Sequence, residues 1–432
     1  MGKVKQLGLL KNKMDLKQQL NEMGEKAKAA SAVLNTAPSV QKNSFFDFAI
    51  KEIKSDQELI LMANHQDVAQ ARDAGKDAAF IDRLELNQDR LEDICATLEE
   101  IKLFPDPVGK ILANWDRPNG LNISRVSTPL GVIGIIFESR PNVASDAGGL
   151  CLKSGNAVIL RSGKDGLRSA STLVTAMQKA LLKAGLPKES IQIVPSENRE
   201  AATLMLEGLN GSIDVIVPRG GKSLVAEVEK SAKVPVFGHL EGICHVYVDE
   251  HADLKKALEI CINAKMRRTG ICGAAETILL HQKIATSFGS DLIAKLSSLH
   301  CEVRGCKKTL SLDQYVIPAT EEDWSTEYLA PIISIKVVDD AEEAIQHINS
   351  YGTGHTESII SEDLNSQNIF TASIDSAIVM INTSTQFADG GEFGLGGEIG
   401  IATGKFHARG PVGLDQLTSF KYIVSGDGQI RL

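Results

Sequence analysis

The chain has 432 residues, 43% hydrophobic and 23% charged, which is typical of a globular protein with a sizeable core. At about 150 residues per domain, this length predicts two or three domains. The 46 basic and 55 acidic residues give a net charge of −9, which argues against a nucleic-acid groove. No apolar run approaches the roughly 18 residues of a membrane span, and we expect no signal peptide at the N-terminus. The seven scattered cysteines predict free thiols in a reducing cytoplasm.

The first quarter of the chain, residues 1 to about 110, predicts helices. The stretch Asp15–Ala32 is rich in Lys, Gln, Glu and Ala, which are good helix formers. Apolar residues recur near a helical period from Asp82 to Lys102, which predicts one continuous helix. This helix should end before Phe104-Pro105, because a residue that precedes proline disfavours the α conformation.

From residue 131 onward, short apolar strands alternate with helices, as in βαβ units with a parallel sheet. A first set has predicted strands at 131–137, 157–161, 191–194 and 213–217, with helices at 167–184 and 199–207. A second set has predicted strands at 244–248, 276–280, 331–338 and 357–360, with helices at 253–265 and 340–349. The tail 417–423 predicts an edge strand. The expected fold class is therefore α/β, with two α/β layers and a β-rich extension.

Cys272 differs from the other cysteines in its surroundings. It lies between a predicted helix and a predicted strand, in the segment Arg267-Arg-Thr-Gly-Ile-Cys-Gly273. Nearby cations lower the pKa of a thiol, so the two arginines of this segment would favour the thiolate. The spacing alone leaves two interpretations open, a nucleophile and a buried loop thiol.

Two other features carry weaker signals. Cys301 and Cys306 have four residues between them and no second ligand pair, so we expect no metal site. The glycine-rich segment Gly390–Gly400 reads as a mobile loop, and it is either a plain connection or a loop that contacts substrate.

Two turns after predicted strands are candidates for binding phosphate groups. The usual Gly-x-Gly-x-x-Gly fingerprint of dinucleotide sites is missing. Instead, Arg161-Ser-Gly-Lys-Asp-Gly166 and Arg219-Gly-Gly-Lys-Ser223 each lie where a strand gives way to a helix, whose free N–H groups favour phosphate. Cations at such a strand end suit the 2′-phosphate on the ribose of NADP, so the sequence predicts NADP rather than NAD. The alternative is that both segments are solvated turns that bind no ligand. The candidate cofactor contacts are Arg161, Ser162, Lys164, Gly220, Gly221 and Ser223.

Several segments together resemble the aldehyde dehydrogenase superfamily and, within it, the gamma-glutamyl phosphate reductase family. The segments are Pro129-Leu-Gly-Val-Ile-Gly-Ile-Ile-Phe-Glu-Ser-Arg-Pro-Asn-Val143, Lys153-Ser-Gly-Asn-Ala-Val-Ile-Leu-Arg161, Gly242-Ile-Cys-His-Val-Tyr-Val-Asp249, Cys272 with Glu276-Thr277, Gly352-Thr-Gly-His-Thr-Glu357 and His407-Ala-Arg-Gly-Pro-Val-Gly-Leu414. The resemblance spans about Ala27 to Ile430. It implies two Rossmann-like α/β domains and a small β oligomerisation extension. The implied divisions are an NADP-binding domain at 1–112 and 129–242, a catalytic domain at 243–408, and the extension at 113–128 and 409–432.

The resemblance also implies roles for single residues. Cys272 matches the nucleophile, and Glu327 matches the glutamate that binds the nicotinamide ribose. Asn142, in Arg140-Pro-Asn142, stands where relatives keep an oxyanion donor, although alignment leaves this role open. For the substrate's carboxylate, Arg140 and Arg409 are candidates because arginine forms bidentate pairs, with a salt bridge as the alternative for Arg409. His407 is a further candidate for binding the substrate, and the alternative is that it is only a turn residue.

The chain departs from ordinary aldehyde dehydrogenases at two positions. Where those enzymes carry a general-base glutamate, ungapped alignment places His239, although Glu241 is close by. A base that activates water is needed to hydrolyse a thioester, whereas the reduction of an acyl phosphate needs no such water. The residue after the nucleophile is Gly273, where many relatives have an asparagine.

The implied activity is the NADPH-dependent reduction of L-glutamyl 5-phosphate to L-glutamate 5-semialdehyde, through a Cys272 thioester, in proline biosynthesis. One alternative is the NAD(P)-dependent oxidation of a semialdehyde to a free acid. A second alternative is an acyltransferase or hydrolase that uses Cys272 together with His239 or His245. The last alternative is a scaffold protein without catalytic activity. The implied partners are the small-molecule substrate and a second copy of the chain, bound through Asn122–Ser127 and Leu417–Ile423. Whether glutamate 5-kinase hands over the acyl phosphate is left open.

Overall fold

The computed structural model of the chain describes residues 15–395 and 397–431. The predicted helical content of residues 1–14 lies outside that range. The helices, in chain order, are α1 (Leu16–Leu34), α2 (Ser39–Ser55), α3 (Gln57–Asp73), α4 (Ala78–Leu84), α5 (Gln88–Leu103), α6 (Val143–Lys153), α7 (Leu167–Lys183), α8 (Arg199–Leu206), α9 (Lys222–Ser231), α10 (Leu254–Met266), α11 (Gln282–Ile284), α12 (Ser290–Ser298), α13 (Ala341–Tyr351) and α14 (Leu364–Ser373). The strands are β1 (Ile111–Asp116), β2 (Asn122–Pro129), β3 (Val132–Phe137), β4 (Ala157–Ser162), β5 (Ile191–Ile193), β6 (Val215–Arg219), β7 (Cys244–Val248), β8 (Ala275–His281), β9 (Glu302–Gly305), β10 (Ile317–Pro318), β11 (Ile332–Val338), β12 (Thr356–Ile360), β13 (Ile378–Ile381), β14 (Ile401–Ala402), β15 (Gly410–Pro411) and β16 (Thr418–Ser425). Within the described residues, no helix combines the length and the apolar character that crossing a membrane requires.

The N-terminal helices confirm the predicted helical region from residue 16 onward, with one correction. The prediction of a continuous helix from Asp82 to Lys102 is wrong, because α4 and α5 are separate. The side chain of Asn87 accepts the backbone N–H of Arg90 at 2.8 Å and so caps a new helix. Helix α5 ends just before Phe104-Pro105, as predicted.

The first parallel sheet has the order β5-β4-β3-β6, and its strands confirm the first predicted set. Every residue of β3 and β4 is buried, as expected of strands covered on both faces. The chain adds strands on one side of β3 and then returns to place β6 on its other side. The carboxyl ends of β3 and β6 therefore flank a switch point, where open α/β sheets bind their ligands.

The second sheet is larger and wholly parallel, with the order β10-β9-β11-β8-β7-β12-β13. It contains the second predicted set of strands, and it adds β9, β10 and β13, which the sequence pattern did not indicate. Strand β7 has β8 and β12 as its direct neighbours. The segments that precede these three strands therefore meet at one edge of the sheet.

A third, antiparallel sheet has the order β1-β2-β16, and β16 confirms the predicted edge strand. Between β13 and β16 the chain returns to the first domain. Ile399, Ala402, Ala408, Val412 and Leu414 all belong to the core that the first sheet shares with the N-terminal helices. Ile401 packs instead with Ile378, Met380 and Ala388, so this segment contributes to two hydrophobic clusters.

Candidate active site

Cys272 lies in the loop between α10 and β8, as predicted, and this loop is packed tightly on its neighbours. Five of the seven cysteines are buried, whereas Cys272 and Cys306 are partly exposed. The carbonyl oxygen of Cys272 accepts a hydrogen bond from the Cys244 thiol at 3.1 Å. A methyl group at Gly242 would overlap this same carbonyl. The segment leading into β7 therefore fixes the main chain of Cys272, a residue that is only partly exposed.

Two imidazoles stand beside the Cys272 sulfur. One ring nitrogen of His239, one of His355 and the sulfur all lie within 4.8 Å of one another. His239 Nδ1 lies 2.7 Å from the carbonyl oxygen of Ile401, so this nitrogen carries the proton and the other has a free lone pair. His355 is fully buried, and its Nε2 has no hydrogen-bond partner among the described residues. Burial lowers the pKa of both imidazoles, so both are neutral at pH 7.

The electrostatic surroundings of the thiol differ from the sequence prediction. Burial raises the pKa of Cys272 to about 11, and the cation that opposes this rise is Arg219. Arg267 and Arg268 were expected to favour the thiolate, but Arg267 instead points its guanidinium towards the side chain of Gln386, 3.5 Å away. The substrate-free site therefore holds a neutral thiol at pH 7, with its nearest stabilising charge on the other sheet.

Arg140 and Arg219 form a positive region at the switch point of the first sheet. Burial lowers the pKa of Arg140 to about 10, and the neighbouring Arg219 lowers it further, while the Cys272 thiolate would raise it. Two guanidinium groups whose charges repel each other favour a bound anion, because arginine pairs with phosphate and carboxylate oxygens. Arg140 thus stays a candidate for the substrate's carboxylate, and Arg219, which the sequence analysis assigned only to a phosphate turn, adds a second cation.

A buried ion pair anchors both ends of the loop that carries Cys272. Lys265 at the end of α10 pairs with Glu276 at the start of β8, and both side chains are essentially inaccessible. The other carboxylate oxygen of Glu276 lies 3.3 Å from the N–H of Leu329. Burial raises the pKa of Glu276 to about 7, and Lys265 opposes the rise. The pair therefore ties the loop to the segment that carries Glu327.

Glu327, which lies in this segment, contacts the main chain just before β7. Its Oε1 accepts the backbone N–H of Gly242 at 2.9 Å. Burial raises its pKa, and its charge is one of those that act on Cys272. The structure thus brings Glu327 to the same side of the second sheet as Cys272.

Replacing Lys265 with methionine is expected to destabilise the protein by about 3–5 kcal/mol, because the buried carboxylate of Glu276 loses its partner. Urea unfolding followed by circular dichroism measures this change. The double variant with Glu276→Leu as well should recover most of the lost stability, since an apolar pair of similar volume replaces the ions. Equal losses in the single and double variants would contradict the anchoring role.

The candidate cofactor residues gather at the carboxyl edge of the first sheet. Arg161 and Ser162 end β4, and the Gly220-Gly221 pair links β6 to α9, whose first residues include the exposed Ser223. The N–H of Gly221 donates to Glu138 Oε2 at 3.2 Å. Arg161 is buried, and its Nε has no hydrogen-bond partner among the described residues.

These residues fit a phosphate-bearing dinucleotide. A buried guanidinium nitrogen without a partner suits an added acceptor, and burial lowers the pKa of Arg161. Lys164 follows Arg161 in the same turn, just before α7, and its side chain is exposed to solvent. A ligand that lies along this edge would reach the switch point between β3 and β6.

The remaining predicted residues have the following contacts. The amide nitrogen of Asn142, at the start of α6, donates to Asp146 Oδ2 at 2.9 Å. Arg409 donates to Asp375 Oδ1 at 2.7 Å, which is the salt-bridge alternative of the sequence analysis. His407 is exposed, with its Nε2 3.2 Å from the carbonyl oxygen of Gln416.

Glu398 and His355 are the site residues that the sequence analysis missed. Glu398 lies in the glycine-rich segment, where its Oε2 accepts the N–H of Gly390 at 3.1 Å. Burial raises its pKa to about 7, and its charge acts on Cys272. This favours a loop that contacts the site over a plain connection. The sequence analysis included His355 only within the motif Gly352–Glu357. It could not place His355 beside His239, because the two residues are far apart in the sequence.

The comparisons with known proteins agree with this geometry. The sequence profile of the aldehyde dehydrogenase family matches residues 10–308 and 316–423. The gamma-glutamyl phosphate reductase of Brucella suis is 56% identical over 96% of this chain and 99% of its own length. The same enzyme of Parvibaculum lavamentivorans is 54% identical over 97% of this chain and 99% of its own length. The crystal structure of the gamma-glutamyl phosphate reductase of Thermotoga maritima is 44% identical, covers 96% of this chain and all of its own, and superimposes with a TM-score of 0.94. The chain therefore belongs to the aldehyde dehydrogenase family and, within it, to the gamma-glutamyl phosphate reductases.

Proposed function

We propose that the protein reduces L-glutamyl 5-phosphate to L-glutamate 5-semialdehyde and phosphate, with NADPH as the reductant, in proline biosynthesis. The observation that carries this proposal is the position of Cys272. Its thiol lies on a fixed loop where the charges of Arg219 and Glu327 both act on it, and its relatives carry the name of this activity. The arginines suit the anionic leaving group, and Glu327 lies on the side expected for the nicotinamide ribose.

The first half of the reaction forms a thioester. Cys272 loses its proton, and the candidate acceptors are the imidazoles of His239 and His355, each with a ring nitrogen within 4.8 Å of the sulfur. The sulfur then attacks the acyl carbon, and phosphate leaves with the electron pair of the broken C–O bond. The backbone N–H of Cys272 and the Asn142 amide would stabilise the oxyanion, an effect of about 3–4 kcal/mol per donor in other enzymes. Asp146, which accepts from the Asn142 amide, holds its orientation.

The second half reduces the thioester. NADPH supplies a hydride for the carbonyl carbon when it is bound at the edge of the first sheet. The protein then has to stabilise the negatively charged oxygen of the resulting hemithioacetal. When this intermediate collapses, the semialdehyde leaves and the sulfur regains a proton. Splitting the reduction in this way replaces one difficult step by two easier ones.

The surroundings of Glu241 favour reduction over hydrolysis of the thioester. Its carboxylate pairs with Lys222, which points it away from a role as the base for water. At the position of the usual base stands the neutral His239, which hydrogen-bonds to Ile401. Neither position therefore offers water the unpaired carboxylate that ordinary aldehyde dehydrogenases use as a base, which favours the proposed reduction over the oxidation to a free acid.

The reverse reaction tests the proposed activity. Semialdehyde, phosphate and NADP should together produce NADPH, which is followed by its absorbance, and omission of phosphate should stop the reaction. Product formation without phosphate would identify an oxidase that forms a free acid. Thioester turnover without any nicotinamide would identify an acyltransferase or hydrolase.

NADP preference is assigned to Arg161 and Lys164. The variant Lys164→Ala is expected to raise KM for NADP by about tenfold to a hundredfold, because a hydrogen bond to a charged group contributes about 1.5–3 kcal/mol. Its KM for NAD should stay unchanged, since NAD lacks the 2′-phosphate. The matched control is Lys188→Ala, at another exposed lysine that begins a three-residue 3-10 helix in the same domain. Equal losses for NADP and NAD would contradict the assignment.

We further propose a cytoplasmic homo-oligomer that meets its substrate there. All seven cysteines are free thiols, which suits a reducing compartment. The β1-β2-β16 sheet leaves both edge strands open and exposes large apolar side chains on β1 and β16. The exposed residues are Ile111, Leu112, Trp115, Phe420, Tyr422, Ile423 and Val424. A kinase that makes the acyl phosphate would be the natural donor of so unstable a substrate.

A further inference from the structure

The cluster of His239, Cys272 and His355 joins the ligand types of a metal centre. The three candidate ligand atoms are a thiol sulfur and two imidazole nitrogens, all within 4.8 Å of one another. Sulfur and imidazole ligands together select zinc and chemically similar cations over magnesium or calcium. These three side chains come from three separate segments, ahead of β7, β8 and β12, so the cluster exists only in the folded sheet.

The geometry needs little adjustment to hold such an ion. Zinc binds sulfur at about 2.3 Å and imidazole nitrogen at about 2.0–2.1 Å, which sets ligand atoms roughly 3.5 Å apart in a tetrahedron. The side chains would have to close by about one ångström from their present spacing. Cys272 and His239 are both partly exposed, so an ion can enter from solvent.

His355 gives an independent reason to expect a ligand here. Its side chain is fully buried, and its Nε2 has no hydrogen-bond partner among the described residues. Its other nitrogen already lies 2.9 Å from the Thr356 hydroxyl. A buried polar atom without a partner is costly, and its ring packs edge-on against that of His239, with centroids 4.8 Å apart. A bound cation would supply this missing partner.

We propose that His239, Cys272 and His355 form a site for Zn²⁺ or a similar soft divalent cation, and that its occupation reversibly blocks the enzyme. This reverses the expectation from the sequence, which weighed only the Cys301–Cys306 pair. On binding, the thiol releases its proton to solvent and the sulfur donates a lone pair to the ion. Three protein ligands leave the fourth position to water, which distinguishes the site from a closed four-ligand structural zinc centre.

The block follows because the sulfur that holds the ion is the proposed nucleophile. While its lone pair is donated to the metal, it cannot attack the acyl carbon. Binding itself depends on the cluster alone, whereas the inhibition rests on the proposed function. Zinc binding measured on the substrate-free protein therefore tests the metal site independently of the proposed enzyme activity.

The test is equilibrium Zn²⁺ binding by the substrate-free protein, in competition with a chromophoric chelator. We expect one saturable site per chain, and Cys272→Ser, His355→Gln and His239→Gln should each weaken it by more than about tenfold, as even outer-shell changes do. The matched controls are Cys306→Ser, at the other partly exposed cysteine, and His251→Gln, at an exposed histidine. Both controls should bind as the unaltered protein does.

Two further readouts identify the ligands. Co²⁺ in place of Zn²⁺ should give a thiolate-to-cobalt charge-transfer band, which is absent in Cys272→Ser. Zn²⁺ should also protect Cys272 from alkylation by iodoacetamide, as mapped by mass spectrometry. Should His355→Gln fail to fold by circular dichroism, the more exposed His239→Gln still tests the imidazole ligands.

The outcomes separate the two proposals. Loss of binding in the three variants, with inhibition of the unaltered enzyme, supports the site and its effect. Binding that survives Cys272→Ser, or no saturable binding below millimolar Zn²⁺, overturns the site and leaves the reductase activity untouched. Zinc binding by a protein that fails the reverse assay would instead overturn the proposed function.

Discussion

Replacing Cys272 with serine is expected to lower kcat by about 10⁴-fold or more, the scale on which loss of a covalent nucleophile acts in other enzymes. A serine hydroxyl in this buried, weakly basic setting is a far poorer nucleophile than a thiolate. The reverse assay with semialdehyde, phosphate and NADP measures the loss. The thioester that mass spectrometry should detect on Cys272 during turnover should disappear with it.

Cys306→Ser is the matched control for this variant. Cys306 is the other partly exposed thiol, and its sulfur lies 3.3 Å from the Thr309 hydroxyl, on the far strands of the second sheet. The control should keep near-normal activity, and both variants should keep the thermal stability of the original protein. Turnover by Cys272→Ser within tenfold of the unaltered enzyme would refute covalent catalysis at this residue.

The fold was largely predictable because its strands carry strong local signals. Strands β3 and β4 are continuous apolar runs, and both are buried along their whole length. The break between α4 and α5 was missed because apolar residues keep a helical period across it, and only the local cap at Asn87 interrupts the backbone. Strands β9 and β10 were missed because they are short and lie partly at the open edge of the sheet.

The site was less predictable, because its charges and bases meet only through the order of the strands. Arg267 and Arg268 are next to Cys272 in the sequence, yet the cation that acts on the sulfur is Arg219 from the first sheet. His355 joins Cys272 because β12 and β8 both border β7. Periodicity reveals which segments are strands, but it does not reveal which strands are neighbours, so these contacts need the tertiary structure.

Gly242 offers the second test of the site, through the main chain of the nucleophile loop. The N–H of Gly242 donates to Glu327 at 2.9 Å, and its Cα lies against the carbonyl of Cys272, which a methyl group would overlap. Gly242→Ala must therefore push the Cys272 loop away from the strand leading into β7. A displacement of about one ångström in a reacting group can cost about 100-fold in rate, so we expect kcat/KM to fall by about that factor or more.

Gly270→Ala is the control that isolates this close approach. Gly270 lies in the same loop, and a methyl group placed there would have no atom within 4 Å. Its substitution should change stability by no more than about 0.5 kcal/mol, as at most surface sites, and should leave kcat/KM nearly unchanged. The rate of Cys272 alkylation by iodoacetamide reports the position of the sulfur without any substrate, and it should change in Gly242→Ala alone. Normal alkylation and turnover in Gly242→Ala would show that the loop yields to the added methyl group, and that Gly242 does not position the nucleophile.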